Sequence, residues 1–432
     1  MNQMAPRLLT ASDTGPDDKP RGRGRAGPFG VLDIGTTKIV CMIGRQESDG
    51  QLRITGFGWH RAKGVRGGNI VDLEAAETAI RAAVGQAEDQ ADTRLRAVTV
   101  NLSCGQPESR LMNVQWPVGG RGVEESDIRR IMLEGRNRAE AEGRETIHAL
   151  PLDFTTDETG GVGDPRGLHC NTLTARLHIV DAAPGALRSL GACMARCDLD
   201  VSELVSAPMA SGLATLVEDE RELGVTVIDM GGGTTGIAVF AEGQLLHTAQ
   251  LAMGGVHVTS DIARMLSTPI AHAERLKVLY GNAALCPDDR KESLSVPLIG
   301  EEDHHLLQVP RSDLVQVVRS RVEEIFELVR QALDQSGVTR VAGNRVVLTG
   351  GASQLGGVRE LAAEMLGKQV RLGRPGGLRG LPELAQGPGF ATSAGLLGWA
   401  AGSGRRLADI DLDPPPRRGI IARLAAFMRE RL

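Results

Sequence analysis

One short pattern occurs twice in this sequence, and each copy lies between two apolar segments. The first copy starts at Asp33 and the second at Asp229, and in both the Asp is followed by one apolar residue, then Gly, and then Thr within three positions. An apolar run, a polar glycine turn and a second apolar run indicate two strands joined by a tight turn. Helical patterns separate the copies, so the sequence predicts an α/β protein made of two related halves.

The residues of these two turns suit a phosphate group and a divalent cation. Glycine lets backbone N–H groups approach phosphate oxygens closely, and Thr hydroxyls and a Lys ammonium add further donors. Asp33 and Asp229 suit the water shell of Mg²⁺, which prefers carboxylates and retained waters. One copy alone is also a common hairpin turn, but two copies that face each other would clamp a triphosphate from both sides. The candidate residues are Asp33, Gly35, Thr36, Thr37, Lys38, Asp229, Gly231, Gly232, Gly233, Thr234 and Thr235.

A third glycine turn, Gly350-Gly351-Ala352, follows an apolar strand that begins at Arg345. Its flat backbone surface suits a base or a sugar, although such a turn alone is an ordinary strand-to-helix connection. The order and spacing of the three turns favour the functional interpretation. Apolar periodicity elsewhere predicts strands over 97–102 and 173–180, and helices over 72–89, 123–143, 186–196, 256–266, 270–279, 311–336 and 389–402.

The composition restricts the alternatives. A net charge of −5 and an aromatic content of 3% argue against nucleic-acid binding. No secretory segment is visible, and no run of roughly 18 apolar residues could span a bilayer, so any membrane contact is expected to be peripheral. The six cysteines lack a CxxC pair or nearby His at zinc spacing, so we interpret them as small buried residues rather than metal ligands or disulfide partners. They are Cys41, Cys104, Cys170, Cys193, Cys197 and Cys286.

The last 16 residues, 417–432, have the pattern of an interfacial amphipathic helix. Five Arg and one Glu give this segment a local charge of +4 in a chain whose total is −5. Apolar side chains at helical spacing would enter the acyl boundary while guanidinium groups lie over anionic lipid. The alternative is a helix that docks on the protein's own body or in a partner's groove. The candidate membrane residues are Ile420, Ile421, Leu424, Phe427, Met428, Arg417, Arg418 and Arg423.

The order of the three turns resembles that of the actin, Hsp70 and sugar-kinase superfamily. Within it the chain is similar to the FtsA family of bacterial cell-division proteins, nearly end to end from about Phe29. The resemblance implies an actin-like fold around a nucleotide cleft that holds ATP with Mg²⁺, and a C-terminal membrane-targeting helix. It assigns the ribose and adenine to Glu274, Lys277, Gly350, Gly351 and Ala352, although Glu274 and Lys277 also suit a solvent-exposed helix pair. The segments that carry the resemblance are 220–224, 227–234, 258–263, 273–277 and 347–352.

The same resemblance divides the chain into subdomains, with a small α/β unit called 1C in the first half. The N-terminal tail is interpreted as disordered from its composition, and three consecutive prolines mark a linker before the last helix. The expected divisions are 1–27 tail, 28–104 and 182–224 subdomain 1A, 105–181 subdomain 1C, 225–260 and 341–385 subdomain 2A, 261–340 subdomain 2B, 386–402 closing helix of 1A, 403–416 linker and 417–432 membrane helix.

Hydrolytic members of the superfamily place an acid before the proline of the segment that here is Ser206–Gly212. This chain has Ala207 at that position, and a methyl group neither accepts a proton nor orients water. We therefore expect ATP binding with slow or no hydrolysis, a structural protein rather than an enzyme, and no catalytic residue.

The function implied by the resemblance is that of an adaptor in cell division. It would polymerise at the cytoplasmic face of the inner membrane, tether the tubulin-like polymer FtsZ through 261–340, and recruit later division proteins through 105–181. One alternative is a pilus-assembly ATP-binding protein of the PilM kind, which shares subdomain 1C. A phosphotransferase of the sugar- or acetate-kinase type would need a carboxylate near Ala207, and an Hsp70-like chaperone would need a substrate domain.

Overall fold

A computed structural model describes residues 27–140, 143–301 and 306–402 of the 432-residue chain. The predicted N-terminal tail up to residue 26, the linker and the predicted membrane helix lie outside the described residues.

The first half begins with a meander of strands and one long helix. Asp72 caps this helix by accepting a hydrogen bond from the Ala75 N–H, which satisfies one of the free donors at the helix start. The elements are β1 (Phe29–Ile34), β2 (Lys38–Gln46), β3 (Leu52–Arg61), β4 (Val65–Arg66), β5 (Asn69–Ile70), α1 (Leu73–Ala91) and β6 (Ala97–Leu102).

A separate small unit follows. Its sheet has the strand order β7-β10-β8-β9, and the single helix α2 covers one face. The elements are β7 (Glu108–Pro117), α2 (Glu125–Glu140), β8 (Glu145–Thr156), β9 (Thr159–Val162) and β10 (Thr172–Ala182).

The rest of the described chain completes the first half and forms the second. Its elements are α3 (Pro184–Arg196), β11 (Asp200–Ser206), α4 (Ala207–Thr215), α5 (Glu218–Leu223), β12 (Val225–Met230), β13 (Thr235–Ala241), β14 (Gln244–Leu251), α6 (Gly255–Met265), α7 (Ile270–Tyr280), β15 (Ser293–Pro297), β16 (Leu306–Pro310), α8 (Arg311–Ser336), β17 (Arg345–Thr349), α9 (Val358–Leu366), β18 (Gln369–Leu372), β19 (Leu378–Arg379) and α10 (Ala391–Ala400). Short 3-10 helices lie at Pro287–Arg290, Gly351–Gln354, Glu383–Ala385 and Pro388–Phe390.

The two main sheets have the same topology. The first has the order β11-β6-β1-β2-β3, with β19 added at its edge, and the second has the order β14-β13-β12-β17-β18. In each sheet three consecutive strands pair antiparallel, and two further strands then extend the first of these in parallel. The prediction of two related α/β halves is therefore confirmed.

Helices α4 and α10 lie between the two sheets. Both faces of β1 are buried, because Val31 belongs to the core around α4 and α10 while Leu32 packs with the cluster under α1 and α3. The second sheet is covered on its outer face by α6, α8 and α9. The two central helices cross closely: a Cβ on Gly395 would lie 1.7 Å from the Ala210 carbonyl oxygen. This crossing places residues of α4 and α10 directly beside the ends of β1 and β12.

The cysteine interpretation is correct for five of the six residues. Cys286 is exposed, because it lies in the connection after α7 rather than in a strand or helix with a buried face. All six are free thiols, as predicted.

Candidate functional site

The two repeated turns have the same backbone structure. In the first, the Gly35 N–H donates to the Lys38 carbonyl at 3.0 Å, and in the second the Gly231 N–H donates to the Thr234 carbonyl at 2.9 Å. Each turn joins two antiparallel strands, β1 to β2 and β12 to β13. Lys38 and Thr234 are therefore equivalent positions in the two halves.

The tips of the two turns face each other. A Cβ on Gly232 would lie 2.4 Å from the Thr37 Cγ2 atom, and a Cβ on Gly233 would lie 2.5 Å from the Thr36 Oγ1 atom. Any side chain at either glycine would collide with the opposite turn, so glycine is needed for this approach. The structure thus brings Thr36 and Thr37 against the second glycine turn.

Both aspartates lie at the base of these turns and accept hydrogen bonds from the central helices. Ser393 on α10 donates to Asp33 Oδ2 at 2.8 Å. Ser211 on α4 and Thr392 on α10 both donate to Asp229 Oδ2, at 2.5 Å and 3.0 Å. The two carboxylates therefore meet at the α4–α10 crossing, one from each half.

Burial has the largest effect on the pKa values of the two aspartates. Burial raises the pKa of Asp33 to about 6, and the nearby Asp229 adds to this, while the Ser393 hydrogen bond and the Lys38 ammonium oppose it. Burial also raises the pKa of Asp229, against the hydrogen bonds from Ser211 and Thr392 and the charge of Lys38. Two desolvated carboxylates at one place attract a cation.

Lys38 is the cation that the chain itself supplies at this point. Burial lowers the pKa of its ammonium, and the charges of Asp33 and Asp229 oppose that shift. The Nζ atom lies 4.4 Å from the centroid of the Phe390 ring. A Cβ on Gly389 would lie 2.9 Å from the same Nζ, so the segment before α10 forms one wall beside the first turn.

The third turn packs directly on the second aspartate. Gly350 has φ +85°, and a Cβ there would lie 2.3 Å from Asp229 Oδ1 and 2.4 Å from the Met230 carbonyl oxygen. Only glycine fits this combination of backbone conformation and contact. Gly351 is exposed, and nothing lies within 4 Å of the position of an added Cβ.

Glu274 and Lys277 form a network with α6 rather than a simple surface pair. The Lys277 side chain is 14% exposed, and its Nζ donates to the Gly255 carbonyl at 3.1 Å, to Thr259 Oγ1 at 2.8 Å and to Glu274 Oε2 at 2.7 Å. Ala352 of the third turn also approaches Gly255, at 3.2 Å from an added Cβ. The network therefore adjoins the third turn, while Glu274, with 48% of its side chain exposed, faces solvent.

Some site residues were missed or are placed differently. Ser211, Thr392 and Ser393 were not predicted, because nothing in two small-residue helices marks a hydroxyl as different from its neighbours. Phe390 was also not predicted, because its contact with Lys38 joins distant parts of the sequence. Thr235 lies apart from the other predicted donors: it is fully buried, and its hydroxyl donates to the Met253 carbonyl at 2.8 Å.

The two carboxylates suit a cation that keeps most of its bound water molecules. Within residues 27–140, 143–301 and 306–402, no group of three or more His, Cys, Asp or Glu side chains could hold a metal ion. Two carboxylates beside a glycine turn would leave most coordination positions to water and phosphate, as Mg²⁺ prefers. Over the same residues, no helix is both long and apolar enough to cross a bilayer.

Two halves of equal sheet topology, each with a glycine turn and a buried carboxylate, have the actin-like fold. A solved PilM-PilN type IV pilus biogenesis complex has the same fold, with a TM-score of 0.59 and 18% identity over 86% of this chain and 98% of that chain. Identities of 33% to 44% to curated FtsA proteins, over 85% to 88% of this chain, show that it belongs to the FtsA family of cell division proteins.

The evidence for the family is sequence similarity over most of the chain. The chain is 44% identical to Cell division protein FtsA of Agrobacterium fabrum, over 88% of each protein. It is 33% identical to Cell division protein FtsA of Escherichia coli strain K12, over 85% of this chain and 88% of the relative. The family model for Cell division protein FtsA matches residues 226–395, and the model for the SHS2 domain inserted in FTSA matches residues 105–181.

Proposed function

We propose that this protein binds ATP with Mg²⁺ and tethers FtsZ polymers to the inner face of the cytoplasmic membrane at the division site. The observation that carries the proposal is the pair of equivalent turns, each with a buried aspartate, in a chain 44% identical to an FtsA. A PilM-type pilus function has weaker support, since that solved complex is only 18% identical and shares the fold alone.

In this proposal, Thr36, Thr37, Lys38 and the glycines of both turns hold the phosphates. Asp33 and Asp229 hold the waters of Mg²⁺, and Mg²⁺ would neutralise phosphate charge between the two halves. The third turn and the Glu274–Lys277 network hold the base and the ribose, because these two features adjoin one another at one side of the turns.

The same geometry supports a structural role for the nucleotide. Ala207 begins α4, and its neighbour Pro208 packs against Gly236, the residue paired with Asp229 across the hairpin. Hydrolytic members of the superfamily have a water-positioning carboxylate at the position before this proline, and Ala207 has only a methyl group there, which supports slow hydrolysis. Turnover of ATP should be well below about 1 per second, the lower end of typical enzymes.

Membrane attachment and partner binding rest on the sequence and on the family. The segment 417–432 would lay the protein on anionic lipid as a peripheral protein. Residues 261–340 would bind FtsZ, residues 105–181 would recruit later division proteins, and the body would self-associate into polymers. In an ideal helix, Leu424 falls at the centre of the apolar stripe and Ala426 on the opposite side.

The test is flotation of fluorescent FtsZ with vesicles that contain anionic lipid. Full-length protein with MgATP should carry FtsZ into the floating fraction. A chain truncated after Arg405 should not, and neither should Leu424→Glu, whereas Ala426→Glu makes the same charge change and should float with at most a few-fold loss. Equal flotation by the full-length and truncated chains would exclude the membrane proposal, and flotation of the protein without FtsZ would exclude the tether.

A further inference from the structure

Three hydroxyl groups form a cluster at the crossing of α4 and α10. Besides their bonds to the aspartates, Ser211 Oγ and Thr392 Oγ1 lie 2.9 Å apart. Ser211 and Ser393 are completely buried. A Ser or Thr inside a helix often bonds to the carbonyl four residues earlier, as Thr215 does to Ser211 at 2.8 Å. The three hydroxyls instead point to carboxylates.

Each carboxylate uses only one of its oxygens in these contacts. All three hydroxyl bonds go to Oδ2 atoms, one on Asp33 and two on Asp229. Among the described residues, no hydrogen-bond donor to either Oδ1 atom is found. Asp229 Oδ1 lies on the side of Gly350 in the third turn. The hydroxyls therefore hold one oxygen of each carboxylate, and the other oxygen of Asp229 faces the third turn.

The cluster also connects the two halves of the protein. Thr392 and Ser393 are adjacent in α10, yet the first binds the aspartate of the second half and the second binds the aspartate of the first half. Two consecutive residues of one helix thus hold the two carboxylates, one from each half. Ser211 adds a second anchor from α4 to Asp229.

We propose that Ser211, Thr392 and Ser393 are positioning residues that orient the two carboxylates for the waters of the nucleotide's Mg²⁺. This inference rests on the proposed binding of MgATP. Mg²⁺ requires near-ideal octahedral geometry, so two carboxylates free to rotate would hold its waters poorly. Groups that orient the ligands of a metal commonly contribute 10- to 100-fold to its affinity. None of the three hydroxyls touches the nucleotide in this arrangement.

The test compares nucleotide affinity in Mg²⁺ with affinity in EDTA, using a fluorescent ATP analogue and the full-length protein. Thr392→Val keeps the shape of the side chain and removes the donor, and Thr392→Ser keeps the donor. Thr392 is only partly buried, so these variants should fold, and equal melting temperatures verify it. Mg²⁺ should raise the nucleotide affinity of the wild type, and this gain should be about 10-fold smaller in Thr392→Val. The affinity measured in EDTA should be the same in both proteins. Thr392→Ser should restore the gain, and Ser393→Ala should also lose it.

Two results would overturn the inference. One is an unchanged gain from Mg²⁺ in both Thr392→Val and Ser393→Ala. The other is an equal loss of affinity with and without Mg²⁺, which would mean that the hydroxyl only supports the shape of the cleft. An unchanged gain in the variants would refute this inference alone, whereas a wild-type protein with no gain from Mg²⁺, or with no binding of the analogue, would refute the proposed binding of MgATP.

Discussion

His178 makes a strong and unusual prediction about stability. It lies on β10, on the face opposite Leu177 and Ile179, which pack under α2. The side chain is completely buried, and neither ring nitrogen has a hydrogen-bond partner within the described part of the chain. The pKa of His178 is lowered to about 3, mainly by burial and also by the nearby His247 on β14 and His148 on β8.

The sign and size of the pH effect follow from that pKa. An unfolded His has a pKa near 6.5, so between about pH 6.5 and pH 3 the unfolded chain binds a proton that the folded chain does not. Above pH 6.5, His178 is neutral in both the folded and the unfolded chain, and the full stability is present. As the pH falls below 6.5, the free energy of unfolding decreases by about 1.4 kcal/mol per pH unit. Between pH 7.5 and pH 5.0 the loss is about 2 kcal/mol.

The assay is urea unfolding at pH 7.5 and pH 5.0, followed by tryptophan fluorescence, to which Trp59, Trp116 and Trp399 contribute. His178→Met removes the titrating group, and His272→Met, on the exposed surface of α7, is the matched control. Other groups titrate equally in all three proteins, so their contributions cancel in the comparison. Wild type and the control should each lose about 2 kcal/mol more than His178→Met. An equal loss in all three proteins would refute the reasoning.

The local patterns in the sequence were sufficient for the frame of the fold. The two strand–turn–strand copies became β1–β2 and β12–β13, and the helix predicted over 311–336 is α8 with those bounds. Both predictions succeed because each pattern, an apolar stripe at helical spacing or an apolar strand beside a glycine turn, lies within one continuous segment of the sequence. Strands β3 and β8 were not predicted, because buried and more exposed residues do not alternate regularly along them and give no clear period-two pattern.

The site was predictable where it consists of turns and not where it consists of helix contacts. Helix α10 is buried on nearly all sides, so its sequence has no polar face against which Thr392 or Ser393 would stand out. Thr392 meets Ser211 across 181 positions of sequence, a contact that only the crossing of α4 and α10 creates. Lys38 was predicted as a phosphate donor, but its contact with Phe390 depends on the same long-range packing.

Two further predictions concern an exposed thiol and the third turn. In the native protein a maleimide should react with one thiol per chain, Cys286, and after unfolding it should react with all six. Mass spectrometry of the labelled peptides measures this. A buried cysteine that reacts as fast as Cys286 would contradict the prediction. Gly350→Ala should destabilise the protein by about 2–4 kcal/mol, because alanine costs roughly 1–2 kcal/mol in the left-handed region and its Cβ would press on Asp229 and Met230. Gly351→Ala, with open space at its Cβ, should leave the unfolding midpoint unchanged but obstruct the proposed adenosine surface, so it should weaken nucleotide binding without loss of stability. Equal stability of the two variants would show that the contact between the third turn and Asp229 is not tight enough to require glycine.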